Sequence, residues 1–440
     1  MALADRYGLP VTTSSAIAVE RYQDGMDNLL AYGLDGERSF AEAVAADEGL
    51  ALAHAGGALL AFMKGDGAAA KSAIARAGDL VAGATRRERQ HVEALSALMA
   101  GETARGLALV DEHLKEFPRD ALLVNQAGST IGFGGRPDRE EFRQAFIERL
   151  APAYGDDWWF QSALAFTYHE TGRFDESRRL SERSLEQYPG NANASHNIAH
   201  ICFEAVDNDG GVAFLEPWLA GYDRRAPFHC HLAWHLAMFE LHRGRSARAL
   251  EIYERDIVGG HNPRLAVMDG TALLWRFGLF DCREGPLSWQ PLADLAAQVS
   301  RPGFVFGEIH AALAYASCRD EGALAKLTDS LTALAAKGHA VAGTVALPLI
   351  RGAVAFAAGD YAAALAHIEP VDGEIHRMGG SHAQWEIFEE TMVVCHLKLN
   401  HPAAATTLLL RRLQRRPSPR DQQWLDQARS LAASATPTLA

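Results

Sequence analysis

Two pairs of histidines stand at helical spacing near the middle of the chain, His196 with His200 and His231 with His235. The pairs are 35 residues apart (231 minus 196 and 235 minus 200). Residues i and i+4 of a helix lie about 40° apart around its axis, with Cβ atoms about 6 Å apart, so each pair shares one face. Glu204 continues the first face by one turn. The pattern predicts a patch of imidazoles beside a carboxylate.

Four imidazoles and a carboxylate match the ligands that zinc, iron, manganese and similar divalent metal ions take in proteins. An ion held by the four histidines would activate a water molecule for a hydrolase or lyase reaction, with Glu204 as the acid–base group. Two alternatives remain: a metal-free ligand or catalytic site, and a neutral hydrogen-bonded network that only fills an interface. The sequence therefore leaves open whether the protein is an enzyme.

Four further residues are candidates for the same lining. Asp269 follows His235 by about one repeat, and His310 falls on a still later helix. Tyr168 and Trp234 are candidates for an aromatic wall beside the histidines. Each of these residue types is also common in cores and helix caps, which is the alternative for all four.

A separate candidate lies upstream, where Arg89 and His91 stand near the start of a helix and would suit an anionic ligand. The alternative is a solvated helix start. The chain contains no GxGxxG fingerprint, P-loop, GxSxG elbow or HExxH motif, so nucleotide binding, serine hydrolysis and classical zinc proteolysis have no sequence support.

The elements that must position these residues recur along the chain. An apolar, small-residue helix is followed by a turn on Gly, Asn or Asp and by a second amphipathic helix, and this unit repeats. The early turns are 33 to 38 residues apart, counted between their first residues. They are predicted at Gly65-Asp66, Gly101-Glu102, Gly134-Gly135, Gly172-Arg173, Asn208-Asp209, Gly244-Arg245, Phe280-Asp281, Arg319-Asp320, Gly359-Asp360 and Asn400-His401.

The clearest unit runs from Trp158 to Pro189 and has the tetratricopeptide form. Gly172 is predicted to close its first helix in the left-handed conformation, and Pro189 stops the second. The buried stripe is predicted to consist of apolar side chains. These are Leu164, Phe174, Leu180 and Leu185.

These patterns predict an all-α fold, a tetratricopeptide-like α-α superhelix of about ten helix pairs. We expect one continuous array over residues 1–435 and a frayed tail at residues 436–440. In such arrays the first helices line the concave face. The predicted function is binding of a small molecule or peptide in a concave, histidine-lined groove, the alternative being an enzyme that uses the histidine cluster at residues 196–235.

Charge and cysteine content limit the partners. The net charge of −13 repels nucleic acid and anionic lipid, so neither is expected. Five scattered cysteines suggest no disulfide framework and favour a reducing, cytoplasmic location. A terminal helix with an apolar face is compatible with a homodimer.

Several separated stretches resemble one known family, that of tetratricopeptide repeat protein 38 and its bacterial relatives. The resemblance implies a helical-repeat fold and transfers no catalytic residue. Around the second histidine pair this chain has Leu-Ala-Trp where the family has a bulkier aromatic stretch. The stretches that carry the likeness are Ala45–His54, Thr85–Ala94, Ser195–Glu204, Cys230–Phe239 and Gly379–Gln384.

Overall fold

The computed structural model describes residues 3–282, 287–299 and 303–435, and these form an all-α protein. The predicted tail at residues 436–440 lies outside the described residues. Contacts divide the chain into two compact units. The first comprises the residues up to Gly134, Asp138–Ile198 and Arg225–Phe228; the second comprises Gly135–Pro137, Ala199–Arg224 and the residues from His229 onward. One array over residues 1–435 stays a prediction.

The first unit begins with two short antiparallel strands, Leu3–Ala4 and Pro10–Val11. Ser15 then caps the first helix by accepting a hydrogen bond from the Ala18 backbone N–H at 3.1 Å. Consecutive helices pack as hairpin pairs. The helices are Ala16–Ala31, Gly36–Ala46, Ala51–Lys64, Gly67–Leu80, Arg86–Met99, Thr103–Glu116, Ala121–Phe133, Arg139–Glu148, Ala151–Tyr154, Trp158–Glu170 and Phe174–Gln187, with a 3-10 turn at Val81–Gly83.

Helix Ala192–Glu204 contains the division, which falls after Ile198. The second unit continues the hairpin pattern. Its α-helices are Asn208–Ala220, His229–His242, Ser246–Ile252, Pro263–Leu279, Gln290–Val299, Val305–Cys318, Glu321–Ala336, Leu347–Ala357, Tyr361–Ile368, His382–Trp385, Ile387–Lys398, Pro402–Arg415 and Pro419–Ala435. Tyr253–Val258 and Ala342–Ala346 are π-helical, and Glu369–Met378 is a 3-10 helix.

The first helices of the second unit are buried on every side. All residues from His229 to Leu241 are buried, and the same holds for Ile387–Leu397. Helix Pro263–Leu279 packs against Ile387–Lys398, where Trp275 Nε1 donates to Thr391 Oγ1 at 2.9 Å. A surface helix buries one stripe and exposes the other, so these helices form the core of the unit. The predicted fold class is confirmed, and among the described residues no helix combines the length and hydropathy needed to cross a bilayer.

Most predicted turns are present, and left-handed φ values mark them at Gly65, Gly101, Gly172 and Gly244, among others. The turn predicted at Asn208-Asp209 is wrong, because both residues already belong to helix Asn208–Ala220. Asp207 caps that helix by accepting from the Gly210 N–H at 2.9 Å, so the chain reverses two residues earlier, at Val206.

Val206 adopts a φ of 57°, a conformation that costs a non-glycine residue about 1–2 kcal/mol. Glycine removes this strain but adds about 0.5–1 kcal/mol of backbone entropy. We expect Val206→Gly to raise the free energy of unfolding by about 0.5–1 kcal/mol, measured by urea denaturation. Val354→Gly, in a helix at 36% exposure, should lower it by about 1 kcal/mol. Equal losses in both variants would contradict the strain argument.

The unit from Trp158 to Pro189 shows what the sequence pattern misplaced. Gly172 has the expected φ of 79°, but Phe174 is 37% exposed and the leucines of the predicted stripe are only partly buried. Three serines fill the helix interface instead, Ser177, Ser181 and Ser184. Ser177 donates to the Ala165 carbonyl at 2.7 Å, so small hydroxyl side chains allow the two helices to approach closely.

Candidate functional site

Three of the predicted histidines meet in the core of the second unit, and we call them the histidine cluster: His200, His231 and His235. The rings of His200 and His235 have centroids 4.5 Å apart, and those of His231 and His235 are 4.9 Å apart. One ring nitrogen from each lies within 4.8 Å of the others. All three side chains are 1–5% exposed. The 35-residue spacing thus placed His200 beside His235, as predicted.

Asp269, a candidate for the lining, is hydrogen-bonded to one ring of the cluster. His231 Nδ1 donates to Asp269 Oδ2 at 2.9 Å, and Asp269 is fully buried. Gln384 Nε2 donates to the other carboxylate oxygen at 3.3 Å. The bond to Asp269 fixes the proton of a neutral His231 on Nδ1, so Nε2 carries the lone pair. A buried histidine oriented in this way by a carboxylate is typical of metal sites and of acid–base sites.

Trp234, a candidate for an aromatic wall, contacts two rings of the cluster. Its ring stacks on His231 with centroids 5.4 Å apart and meets His235 edge-on at 4.7 Å. The side chain is fully buried. Within the part of the chain that the structure describes, the indole Nε1 has no hydrogen-bond acceptor. Buried indole N–H groups are usually paired, so this one marks a polar position beside the cluster.

His310 is buried close enough to Asp269 for the carboxylate charge to influence it, but it is not one of the grouped histidines. Its Nδ1 donates to the Phe306 carbonyl at 2.8 Å. Burial lowers the pKa of His310 to about 4, against the opposing effect of Asp269. Burial thus favours the neutral form of His310, and its part in the lining stays a prediction.

His196 lies one turn before His200 on helix Ala192–Glu204, and two aromatic rings of the first unit contact it. Phe166 stacks on it at 5.9 Å and Phe228 meets it edge-on at 5.1 Å. The predicted aromatic residue Tyr168 lies elsewhere, with the Arg173 guanidinium 3.6 Å from its ring centre. Positions 166 and 168 are about 200° apart on a helix, so Phe166 faces His196 and Tyr168 points to another side.

Glu204, the predicted acid–base residue, is hydrogen-bonded to His382, a histidine that was not among the predicted site residues. His382 Nδ1 lies 2.8 Å from Glu204 Oε1, and His382 Nε2 lies 3.2 Å from Glu386. Burial raises the pKa of Glu204, but His382 and Arg416 outweigh it and hold the pKa below its usual value. Glu204 is thus an ionised partner of His382 one turn beyond the cluster. Only the Gly379–Gln384 stretch of the family resemblance pointed to this region.

Glu386 joins His382 to a buried charge network in the second unit. Arg416 donates to Glu386, which is fully buried. Arg412 Nη1 donates to Glu389 at 2.7 Å, and Arg276 Nε to Glu390 at 2.8 Å. Potential ligand atoms of His382, Glu386 and Glu389 lie within 4.8 Å of one another. The arginines already neutralise both carboxylates and would repel a cation, so we do not regard this group as a metal site.

The first unit contains a second buried polar network, at the helix that begins with Arg86. The expectation of a solvated helix start holds for Arg89 but is wrong for His91, which is 0% exposed, and the neighbouring Arg87 is 2% exposed. Arg87 Nε, His91 Nδ1 and His113 Nε2 all donate to Asp120, at 2.9, 3.0 and 3.1 Å. Arg89, the other suggested anion ligand, is exposed. Asp120 thus lies among three buried donors, while among the described residues Arg87 Nη1 and His91 Nε2 have no hydrogen-bond partner.

These features define an all-α helical-repeat protein with a buried histidine cluster in its second unit. The chain matches no protein-family model. It is similar to the structure of the APC/C hetero-tetramer Cut9–Hcn1, with 12% identity, a TM-score of 0.42, and 95% of this chain and 77% of that chain covered. A Rap protein complexed with Competence and Sporulation Factor gives 11% identity and a TM-score of 0.43, covering 86% and 99% of the two chains. The structure of the human IFIT1 dimer with PPP-AAAA gives 14% identity and a TM-score of 0.42, with 98% of each chain covered.

Proposed function

We propose that the protein binds a divalent transition-metal ion at the histidine cluster. The observation that carries this proposal is the convergence of three buried ring nitrogens within 4.8 Å, one of them on a histidine oriented by Asp269. Metal–nitrogen distances of about 2.0–2.1 Å place tetrahedral ligands about 3.3 Å apart, so modest ring rotations complete the geometry. Imidazole ligands with a carboxylate behind one of them suit zinc, iron, nickel or copper better than calcium or magnesium.

The burial of the cluster decides which ligands suit it. The three histidines are 1–5% exposed, so a peptide lying in an open groove would not contact them. A metal ion, alone or with a bound ligand of a few atoms, is small enough for this buried position and suits its imidazole nitrogens. Peptide or protein binding elsewhere on the repeat surface, as is common in such arrays, is compatible with this site but does not use the histidines.

The enzyme alternative keeps one specific observation in its favour. Glu204, one turn after His200 on the same helix, forms a carboxylate–imidazole pair with His382. Such a pair can hold and move a proton. In this alternative a metal ion held by the histidine cluster would activate water, and Glu204 and His382 would hold and move the proton in a hydrolase or lyase reaction on a small molecule.

Elemental analysis of the purified full chain, followed by Zn²⁺ and Co²⁺ titration of chelator-treated protein, tests the proposal. We expect one bound metal per chain, lost in His200→Ala and His235→Ala. Asp269→Asn should weaken metal affinity about 10- to 100-fold, because it removes the carboxylate that orients His231. Co²⁺ absorption in the visible range reports the histidine coordination.

His261→Ala is the matched control, since His261 is an exposed histidine of the same unit. Its metal content should equal that of the unaltered protein. Circular dichroism of each variant separates loss of metal from loss of fold. Unchanged metal content in His200→Ala and His235→Ala would refute the proposal even if their stability fell.

A further inference from the structure

A distant segment of the second unit supplies a hydrogen bond behind the histidine cluster. The turn at residues 379–380 leads into the short helix His382–Trp385, and Gln384 on that helix is 8% exposed. Gln384 Nε2 donates to Asp269 Oδ1 at 3.3 Å, while Asp269 Oδ2 accepts from His231 Nδ1 at 2.9 Å. The Gln384 amide therefore contacts the carboxylate that is bonded to the cluster.

The orientation of the Gln384 amide is fixed from its other side. The Ser381 backbone N–H donates to Gln384 Oε1 at 3.1 Å, so Nε2 must face Asp269. A reversed amide would place its oxygen against the carboxylate and its NH2 group against the Ser381 N–H, and both contacts would be repulsive. A Cβ atom at Gly380 would lie 2.8 Å from Oε1, so the glycine leaves room for this arrangement.

Other contacts of residues 379–385 hold the segment against the unit. Arg276 Nη2 donates to the Ala383 carbonyl at 2.7 Å, and the Arg276 side chain is fully buried. His382 Nδ1 lies 2.8 Å from Glu204 Oε1. The segment thus has its own docking contacts, and Gln384 is the residue through which it reaches Asp269.

We propose that Gln384 is a positioning residue for the metal site and that it couples docking of the 379–385 segment to metal binding, which rests on the proposed function of the histidine cluster. The amide holds Asp269 in the orientation that keeps the His231 proton on Nδ1 and leaves the Nε2 lone pair for the metal. Coupling between two binding events is reciprocal. A bound metal ion therefore also holds the segment in its docked position.

Zn²⁺ and Co²⁺ titration of the chelator-treated full chain measures this coupling from one side. Gln384→Met has a side chain of similar length but no N–H donor. It should weaken metal affinity about tenfold, the lower end of the usual effect of a residue behind the ligands. The visible absorption of bound Co²⁺ should also change, because His231 loses its fixed orientation. A role in stability alone would leave that absorption unaltered.

Ser381→Ala is the matched control in the same segment. It removes the hydroxyl group but keeps the backbone N–H that orients Gln384, so its metal affinity and Co²⁺ absorption should equal those of the unaltered protein. Urea denaturation of the metal-free variants measures any loss of fold stability separately from the loss of metal affinity.

Hydrogen exchange of the unaltered protein measures the coupling from the other side and needs no variant. The backbone N–H groups of Gln384 and Trp385 donate to the Ser381 carbonyl at 2.9 and 3.1 Å. They should exchange about tenfold more slowly with saturating Zn²⁺ than without it, because the factor is the same in both directions. Helix Glu321–Ala336 of the same unit should exchange equally in both states.

The outcomes separate this proposal from the metal site itself. Absence of bound metal in the unaltered protein would refute both. Metal binding of equal affinity in Gln384→Met, or exchange in the 379–385 segment that does not respond to Zn²⁺, would overturn the coupling and leave the metal site standing. If Gln384→Met fails to fold, the exchange measurement on the unaltered protein decides.

Discussion

Glu386→Gln is expected to lower the free energy of unfolding by about 3–5 kcal/mol, the usual cost of leaving buried charges without a partner. Glu386 is fully buried, and Arg416, Arg412, Arg276 and His382 all lie within 4.0 Å of it. Glutamine keeps the shape and one acceptor oxygen but removes the negative charge, so the loss reports the charge network.

Urea denaturation followed by circular dichroism at pH 7 measures this loss. Glu254→Gln is the control, because Glu254 is an exposed glutamate of the same unit and surface substitutions usually change stability by no more than about 0.5 kcal/mol. A loss below about 1 kcal/mol in Glu386→Gln would show that the arginines find other partners or water. Glu389 and Glu390 are the nearest such partners.

Asp120→Asn should destabilise the first unit by a similar amount, about 3–5 kcal/mol. Asp120 accepts hydrogen bonds from Arg87, His91 and His113, and all four side chains are 0–2% exposed. Asparagine leaves the buried Arg87 guanidinium with only its longer contact to Asp5, at 3.4 Å, and its amide group cannot accept from all three donors. Chemical denaturation measures the loss. Asp79→Asn, at an exposed aspartate of the same unit, should be nearly neutral.

The pH dependence distinguishes this explanation from simple loss of packing. Burial raises the pKa of Asp120, but Arg87 and the two histidines outweigh it and hold the pKa well below the usual 3.8. Such a group contributes stability that is present above pH 3.8 and is lost as pH falls through its folded pKa. We therefore expect the difference between Asp120→Asn and the unaltered protein to shrink as the pH falls below 3.8. A constant difference would contradict the charge argument.

The sequence was sufficient to predict the helical repeat and the contact between His200 and His235. Glycine at helix ends and a period near 35 residues are local signals, and they located most of the turns and the pairing of His200 with His235. They could not show that three serines rather than leucines fill the interface of helix Phe174–Gln187, because amphipathic patterning favours the larger apolar side chains. Nor could they show the turn at Val206, where a β-branched residue holds a conformation that glycine or asparagine usually takes.

The rest of the site depends on contacts between distant segments. Gln384 reaches Asp269 across 115 residues of sequence, and His382 reaches Glu204 across 178. No period links these positions, so only a family resemblance drew attention to Gly379–Gln384. The burial of Glu308, which is 4% exposed, has no sequence signal either, since a glutamate in the first turn of a helix is ordinary.

The packing of helix Pro263–Leu279 against Ile387–Lys398 has a consequence for synthesis of the chain. An open row of repeats can become ordered one hairpin after another as it leaves the ribosome, because each repeat contacts only its neighbours. Here the hydrogen-bond partners of Asp269 and Arg276, which are Gln384 and Glu390, are synthesised more than a hundred residues later. The second unit must therefore wait for its last third, and a nascent chain halted before residue 382 would expose the unfinished core to chaperones and proteases.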